Sequence, residues 1–128
     1  MGVSIGGGRG GMDDMKRIVL SNIVKNPDVN VNNWVSIIDN VAYKAFAFDY
    51  EPCTGIVCAV NGGLCDIITE GNIILSGLIS GKSYFLDDVI AGNMTTPCPS
   101  TGNVHNIGRA MSDSYFYVDI DHTVLIRT

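Results

Sequence analysis

Apolar and polar positions alternate along most of this chain in short bursts, each closed by Gly, Asn, Asp or Pro. Tyr115, Tyr117 and Asp119 stand opposite Phe116, Val118 and Ile120, the two-residue period of a half-buried strand. Ser83 to Leu86 is a compact aromatic and aliphatic run closed by Asp87-Asp88. Trp34 to Asp39, Tyr43 to Phe48, Ile56 to Val60, Leu64 to Ile68, Asn72 to Leu75 and Thr123 to Ile126 repeat the pattern. Asn61-Gly62-Gly63 is a hairpin signal, and Glu70-Gly71 predicts a turn. Val104 to Met111 completes the set. The spacing predicts an all-β fold, an antiparallel sandwich or barrel of about 8 or 9 short strands.

The first thirty residues differ. Residues 1 to 12 form a glycine-rich arm, which regular elements tolerate poorly. From Asp13 to Val24 the apolar residues Met15, Ile18, Val19 and Ile23 share a helical face. Asp13 suits an N-cap and Asn26-Pro27 a stop, so a short helix is expected. A strand through Ile18 to Val24 is the rival, favoured by β-branched content. The expected organisation is an N-terminal arm and helix over 1–30, for anchoring or oligomerisation, and a β-domain over 31–128.

A weak internal repeat runs through that β-domain. Ile37-Ile38-Asp39-Asn40 resembles Phe85-Leu86-Asp87-Asp88, Ile56 matches Ile107, and Asn61-Gly62 matches the Ser112-Asp113 turn. Two four-strand units packed on one another would account for it.

Composition narrows the function classes. With 128 residues the chain fits one modest core. Hydrophobic residues reach 46% and charged residues only 16%, less than the roughly 25% of typical soluble domains. That deficit suits a surface partly covered by other subunits. A net charge of -5 with eight scattered basic residues argues against nucleic acid as a partner. No apolar run approaches the roughly 18 residues of a membrane span, and no signal-peptide core follows Met1. Reduced thiols are therefore expected at Cys53, Cys58, Cys65 and Cys98, the alternative being a Cys58–Cys65 bridge across the hairpin.

Candidate chemistry is sparse. Gly77 to Ser83 resembles a phosphate loop but has three residues between its glycines where four are needed, and it leads into a strand. Gly6, Gly8 and Gly11 match a dinucleotide-binding spacing without the surrounding βαβ unit. His105 and His122 lack the local Cys/His pairing of a zinc site. Asp39, Asp87, Asp88, Asp119 and Asp121 sit at strand ends, where Asp makes turns. No catalytic, cofactor or metal residue is assigned. Tyr115 and Tyr117 are the one candidate contact surface, either for a stacked sugar or for another subunit.

Gly81 with Tyr84-Phe85-Leu86, Gly92-Asn93-Met94-Thr95, Pro97 to Gly102, and Ile107-Gly108-Arg109-Ala110-Met111-Ser112 form a pattern. It is similar to that of small structural proteins of tailed bacteriophages: capsid decoration proteins and head- or tail-fibre modules. Residues 34 to 120 carry the resemblance. It implies a non-enzymatic β-domain, often trimeric, bound to other virion proteins such as the major capsid protein or a tail or neck component. Such a protein would assemble in the host cytoplasm and reside in the virion. The arm residues Gly6, Gly7, Gly8, Arg9, Gly10 and Gly11 would then be the virion anchor. The alternatives are a host glycan-recognition module using Tyr115 and Tyr117, and a small hydrolase using Cys or Asp.

Overall fold

The computed structural model describes residues 16–127. The arm, including Gly6, Gly7, Gly8, Arg9, Gly10 and Gly11, lies outside the described residues, as does the start of the expected helix. The described chain is all-β. Its strands are β1 (Arg17–Lys25), β2 (Trp34–Ile38), β3 (Val41–Lys44), β4 (Gly55–Asn61), β5 (Leu64–Ile74), β6 (Ser83–Leu86), β7 (Met94–Thr95), β8 (Asn106–Ala110) and β9 (Tyr115–Asp119).

They form one sheet in the order β1-β3-β2-β4-β5-β9-β8-β6-β7. A further pairing of β1 with β5 closes the first five strands into a barrel. Every ladder is antiparallel except β1–β3, where Val24 faces Val41 and Lys25 faces Ala42 in parallel. The order β3-β2-β4-β5 is repeated by β7-β6-β8-β9, so the repeat in the sequence corresponds to two units of like connectivity. They join where β5 meets β9.

The helix expected over Asp13 to Val24 is, where it is described, a strand, as the rival reading had it. Ile18, Val19, Ile23 and Val24 are β-branched and lie along β5, which supplies a ladder from Leu64 to Gly71. The helical spacing has a local cause. Between Leu20 and Ile23 the strand carries one residue more than its partner, with Asn22 at φ 58° and its N–H donating to Asp66 Oδ1 at 3.0 Å. That bulge breaks the two-residue period.

Three further expectations are corrected. Glu70-Gly71 is not a turn: β5 runs through it, between β1 and β9. Gly71 has φ 118°, and a Cβ there would stand 2.2 Å from the Lys16 carbonyl oxygen, so the glycine serves a close strand approach. The run from Tyr43 to Phe48 leaves the sheet after Lys44. Beyond it, the Ala45, Ala47 and Gly92 backbones bond across loops. Thr123 to Ile126 contributes a single bridge, Val104 to Leu125. The Asp39-Asn40 break is a two-residue hairpin with both φ positive, 50° and 66°, the primed turn that strand twist favours.

Two cores result. Val29, Val35, Ala42, Val57, Cys65 and Ile67 fill the barrel. Trp34, Ile56 and Ile68, on the barrel's outer wall, pack with Ile73, Tyr84, Leu86, Ile107, Phe116 and Val118. The adjacent pairs Trp34-Val35, Ile56-Val57 and Ile67-Ile68 therefore send one side chain into each core. Strands buried on both faces read as continuous apolar runs. Phe116 joins the halves, edge-on to Trp34 at 5.7 Å and to Tyr84 at 5.7 Å. The Tyr84 hydroxyl accepts the Ile79 N–H at 2.9 Å, which satisfies its polar end.

Phe116→Ala removes a ring that packs against both units. A loss of about 3–5 kcal/mol in unfolding free energy is expected, measured by urea denaturation. Ile74→Ala, on an exposed position of β5, should shift the midpoint little.

Candidate functional site

The exposed face of β5, β9 and β8 is where the structure gathers polar and aromatic side chains. Register sets the arrangement. Asn72, Tyr117, Arg109 and Ser83 are successive partners across β5, β9, β8 and β6. Ile18, Glu70 and Asp119 form the next row across β1, β5 and β9. Opposite partners share a face, so these residues form one platform, with Asn106 beside Asp119. Tyr115 opposes Ile74 in a third row.

A bulge decides why this face is wet. Thr69 is the extra residue of β5 opposite Ile18 and Val19. Before it, Cys65 and Ile67 point into the barrel. After it, Glu70, Asn72 and Ile74 continue the same face, now beyond the barrel mouth. The platform is thus the barrel lining carried out into solvent, and its residue types change from apolar to polar where the closure ends.

The relief of the platform comes from two glycines. Val118 points inward, and its partners on both sides are Gly71 and Gly108. Gly108 has φ 148°, and a Cβ there would meet the Tyr117 carbonyl oxygen at 2.2 Å. It follows Ile107, the extra residue of β8. Each glycine lines a depression beside Tyr117. One, of about 430 Å³, is lined by Lys16, Arg17, Ile18, Glu70, Gly71, Asn72 and Tyr117. The other, of about 330 Å³, is lined by Ser83, Asn106, Gly108, Arg109, Tyr117 and Asp119. Tyr117 is the ridge between them.

The remaining candidates occupy structural positions. Asp39 makes the hairpin turn, Asp87 Oδ1 accepts the Val89 N–H at 3.1 Å, and Asp121 Oδ1 accepts the Thr123 N–H at 2.9 Å. Asp88 accepts the Thr101 hydroxyl. His105 is buried, and its Nε2 donates to the Asp49 carbonyl at 2.8 Å. Asn103, also buried, donates to the same carbonyl at 2.9 Å. Together they fasten the Phe46 to Asp49 turn. His105 Nδ1 has no partner among the described residues. His122 is exposed, at the edge of a depression it shares with Cys53 and Glu70. Lys82-Ser83 enters β6 rather than a helix. Among the described residues no group of His, Cys, Asp and Glu is placed to hold a metal ion.

The four thiols are free. Cys65 faces Val60, not Cys58, because the Gly62-Gly63 turn pairs Asn61 with Leu64 and Val60 with Cys65, so the Cys58–Cys65 bridge does not form. Burial pushes the Cys53 thiol up from 9.0 to about 12, against hydrogen bonds to the Gly55 and Val35 carbonyls. Burial also raises Cys58 and Cys65. A nucleophilic cysteine needs the opposite shift.

Of the two tyrosines named from the sequence, Tyr117 sits at the centre of the platform and Tyr115 one row away. Lys16, Arg17, Glu70, Asn72, Ser83, Asn106, Arg109 and Asp119 are its polar members; of these, sequence reasoning weighed only Asp119, which it read as turn-making, and Ser83, which it set aside with the Gly77 to Ser83 loop. The alternation in Tyr115 to Ile120 could have found Asp119; the others needed the register. No protein-family model, curated protein or solved structure matches this chain.

Cys53 should resist iodoacetamide in the native protein at neutral pH and react only as the fold opens, followed by peptide mass spectrometry. Its raised folded pKa favours the native state below about pH 9, where both states keep the proton. That contribution is lost as pH climbs from about 9 toward 12, at up to about 1.4 kcal/mol per pH unit. Cys53→Ala should flatten the alkaline limb of a pH–stability curve.

Proposed function

We propose that this chain is a non-enzymatic structural protein of a tailed-phage virion, of the capsid-decoration or head-fibre kind, attached through its N-terminal segment. The observation that supports this most is the surface of β1. Ile18, Val19, Leu20 and Val24 are all exposed, Ile18 at 58% and Val24 at 50%. They present apolar groups to solvent on the strand that directly follows the glycine-rich arm. Apolar surface of that kind marks a contact to be covered by protein. Among the described residues, Arg17 to Leu20 pair on one side, with β5, and an apolar strand with an open edge is suited to assembly. The low charge content of the chain and its resemblance to virion modules agree with this.

The partners in this reading are other virion proteins, the major capsid protein or a neck or tail component, and further copies of the chain. Raised thiol pKa values disfavour a cysteine hydrolase. The reading does not call on nucleic acid or a membrane. A host glycan-recognition module is the second reading, and the Tyr117 platform is the observation that favours it.

Removing residues 1 to 12 should leave the β-domain folded, by circular dichroism and thermal melting, while abolishing incorporation into particles. Ile18→Asp with Leu20→Asp should weaken incorporation in the same assay without lowering the melting temperature by more than a few degrees. Normal incorporation of both proteins would reject the proposal.

A further inference from the structure

We infer that the Tyr117 platform is a binding site for a linear, uncharged oligosaccharide, with one sugar stacked on Tyr117 and its neighbours in the two flanking depressions. The inference rests on the recognition reading and assigns it a place and a ligand class.

Three observations carry it. First, the platform is built symmetrically about one aromatic side chain. Each depression offers a guanidinium and a carboxylate, Arg17 with Glu70 on one side and Arg109 with Asp119 on the other. Each adds an amide, Asn72 or Asn106. Fixed donors and acceptors side by side suit vicinal hydroxyls, which both give and take hydrogen bonds. Tyr117 is half-buried, and the part of its ring that reaches solvent supplies an apolar face for a pyranose ring with a polar tip left in water.

Second, the relief is imposed by the backbone. Gly71 and Gly108 both have φ in the left-handed half of the map, both are forced by close backbone contacts, and both follow a bulge by one or two residues. Bulges beside a site re-aim side chains, and here two of them flank the same strand. The depressions therefore exist before any ligand arrives. From Arg17 on β1 to Ser83 on β6 the platform crosses four strand spacings, roughly 19 Å, which is an elongated footprint.

Third, other occupants fit less well. The strands beneath the platform are paired on both sides at Tyr117, so no free edge is offered there to an added peptide strand. Lys16, Arg17 and Arg109 are offset by Glu70 and Asp119, which leaves a single net positive charge, far short of the clustered field that a phosphate polymer needs. The two most exposed large apolar side chains, Val89 at 77% and Tyr50 at 73%, stand on loops outside the platform, so a second copy has other places to dock.

The test uses the full chain on an array of neutral and acidic glycans, followed by titration calorimetry with the best neutral tri- or tetrasaccharide. Tyr117→Ala should reduce affinity at least tenfold. Arg109→Ala and Asn72→Ala should each reduce it several-fold, and Tyr115→Ala should have a smaller effect. Tyr117→Phe, which keeps the ring, should retain most of the binding. All four positions are on the solvent side of the sheet, and unchanged melting curves would show that the fold is kept. Binding that survives Tyr117→Ala and Arg109→Ala would overturn the site while leaving glycan recognition in place. Binding confined to acidic glycans would overturn the ligand class. No binding to any glycan would overturn both the inference and the recognition reading, but not the structural role, which is scored by incorporation. Self-association lost on Tyr117→Ala, without glycan binding, would reassign the platform to a second copy.

Discussion

Three strands of this molecule have no outside within its core. In β2, β4 and β5 the neighbouring residues Trp34 and Val35, Ile56 and Val57, and Ile67 and Ile68 are all buried, one of each pair in the barrel and the other in the space between the barrel and the second unit. A single wall therefore serves two hydrophobic interiors. A one-residue slip of any of these strands exchanges the two sets of side chains. Trp34 would be driven into a barrel filled by Val, Ala, Cys and Ile, and the register is fixed by volume as well as by polarity.

That constraint explains which parts of the fold were legible beforehand. Alternation revealed the strands with one wet face: Phe116, Val118 and Ile120 inward, Tyr115, Tyr117 and Asp119 outward. The number of strands and the turn at Asn61-Gly62-Gly63 could be read because each has local chemistry. The repeat was legible for the same reason, since its landmarks are strand ends and turns. β1 was misread because the bulge at Asn22 shifts its apolar residues into a spacing that imitates a helix. Gly71 was misread as a turn because a glycine permits one, and only the presence of Lys16 and Arg17 against its backbone makes it a strand residue. Barrel closure and the parallel β1–β3 contact depend on pairings between segments far apart in sequence. No local pattern encodes them.

The platform shows the same division. Tyr117 was identifiable from its own strand. Arg109 on one side and Asn72 on the other reach it through ladder pairings, and Arg17 lines the depression beyond β5. None belongs to a motif. What brings them together is the Thr69 bulge, which keeps Ile68 and Ile73 in one core on either side of it. The same bulge releases the opposite face from the barrel to solvent. The irregularities of β5 and β8 are thus part of how the surface is shaped, and the core tolerates them because β9 stays regular between them.

One consequence concerns how this protein can change. The side chains at positions 72, 109 and 117 project away from both interiors, while the relief beneath them is set by Gly71, Gly108 and the backbone. The ladders at those three positions are made by backbone and do not depend on the side chain. The scaffold and the surface it displays can therefore drift at different rates, the one held still by crowding and the other free to be rewritten as whatever it meets changes.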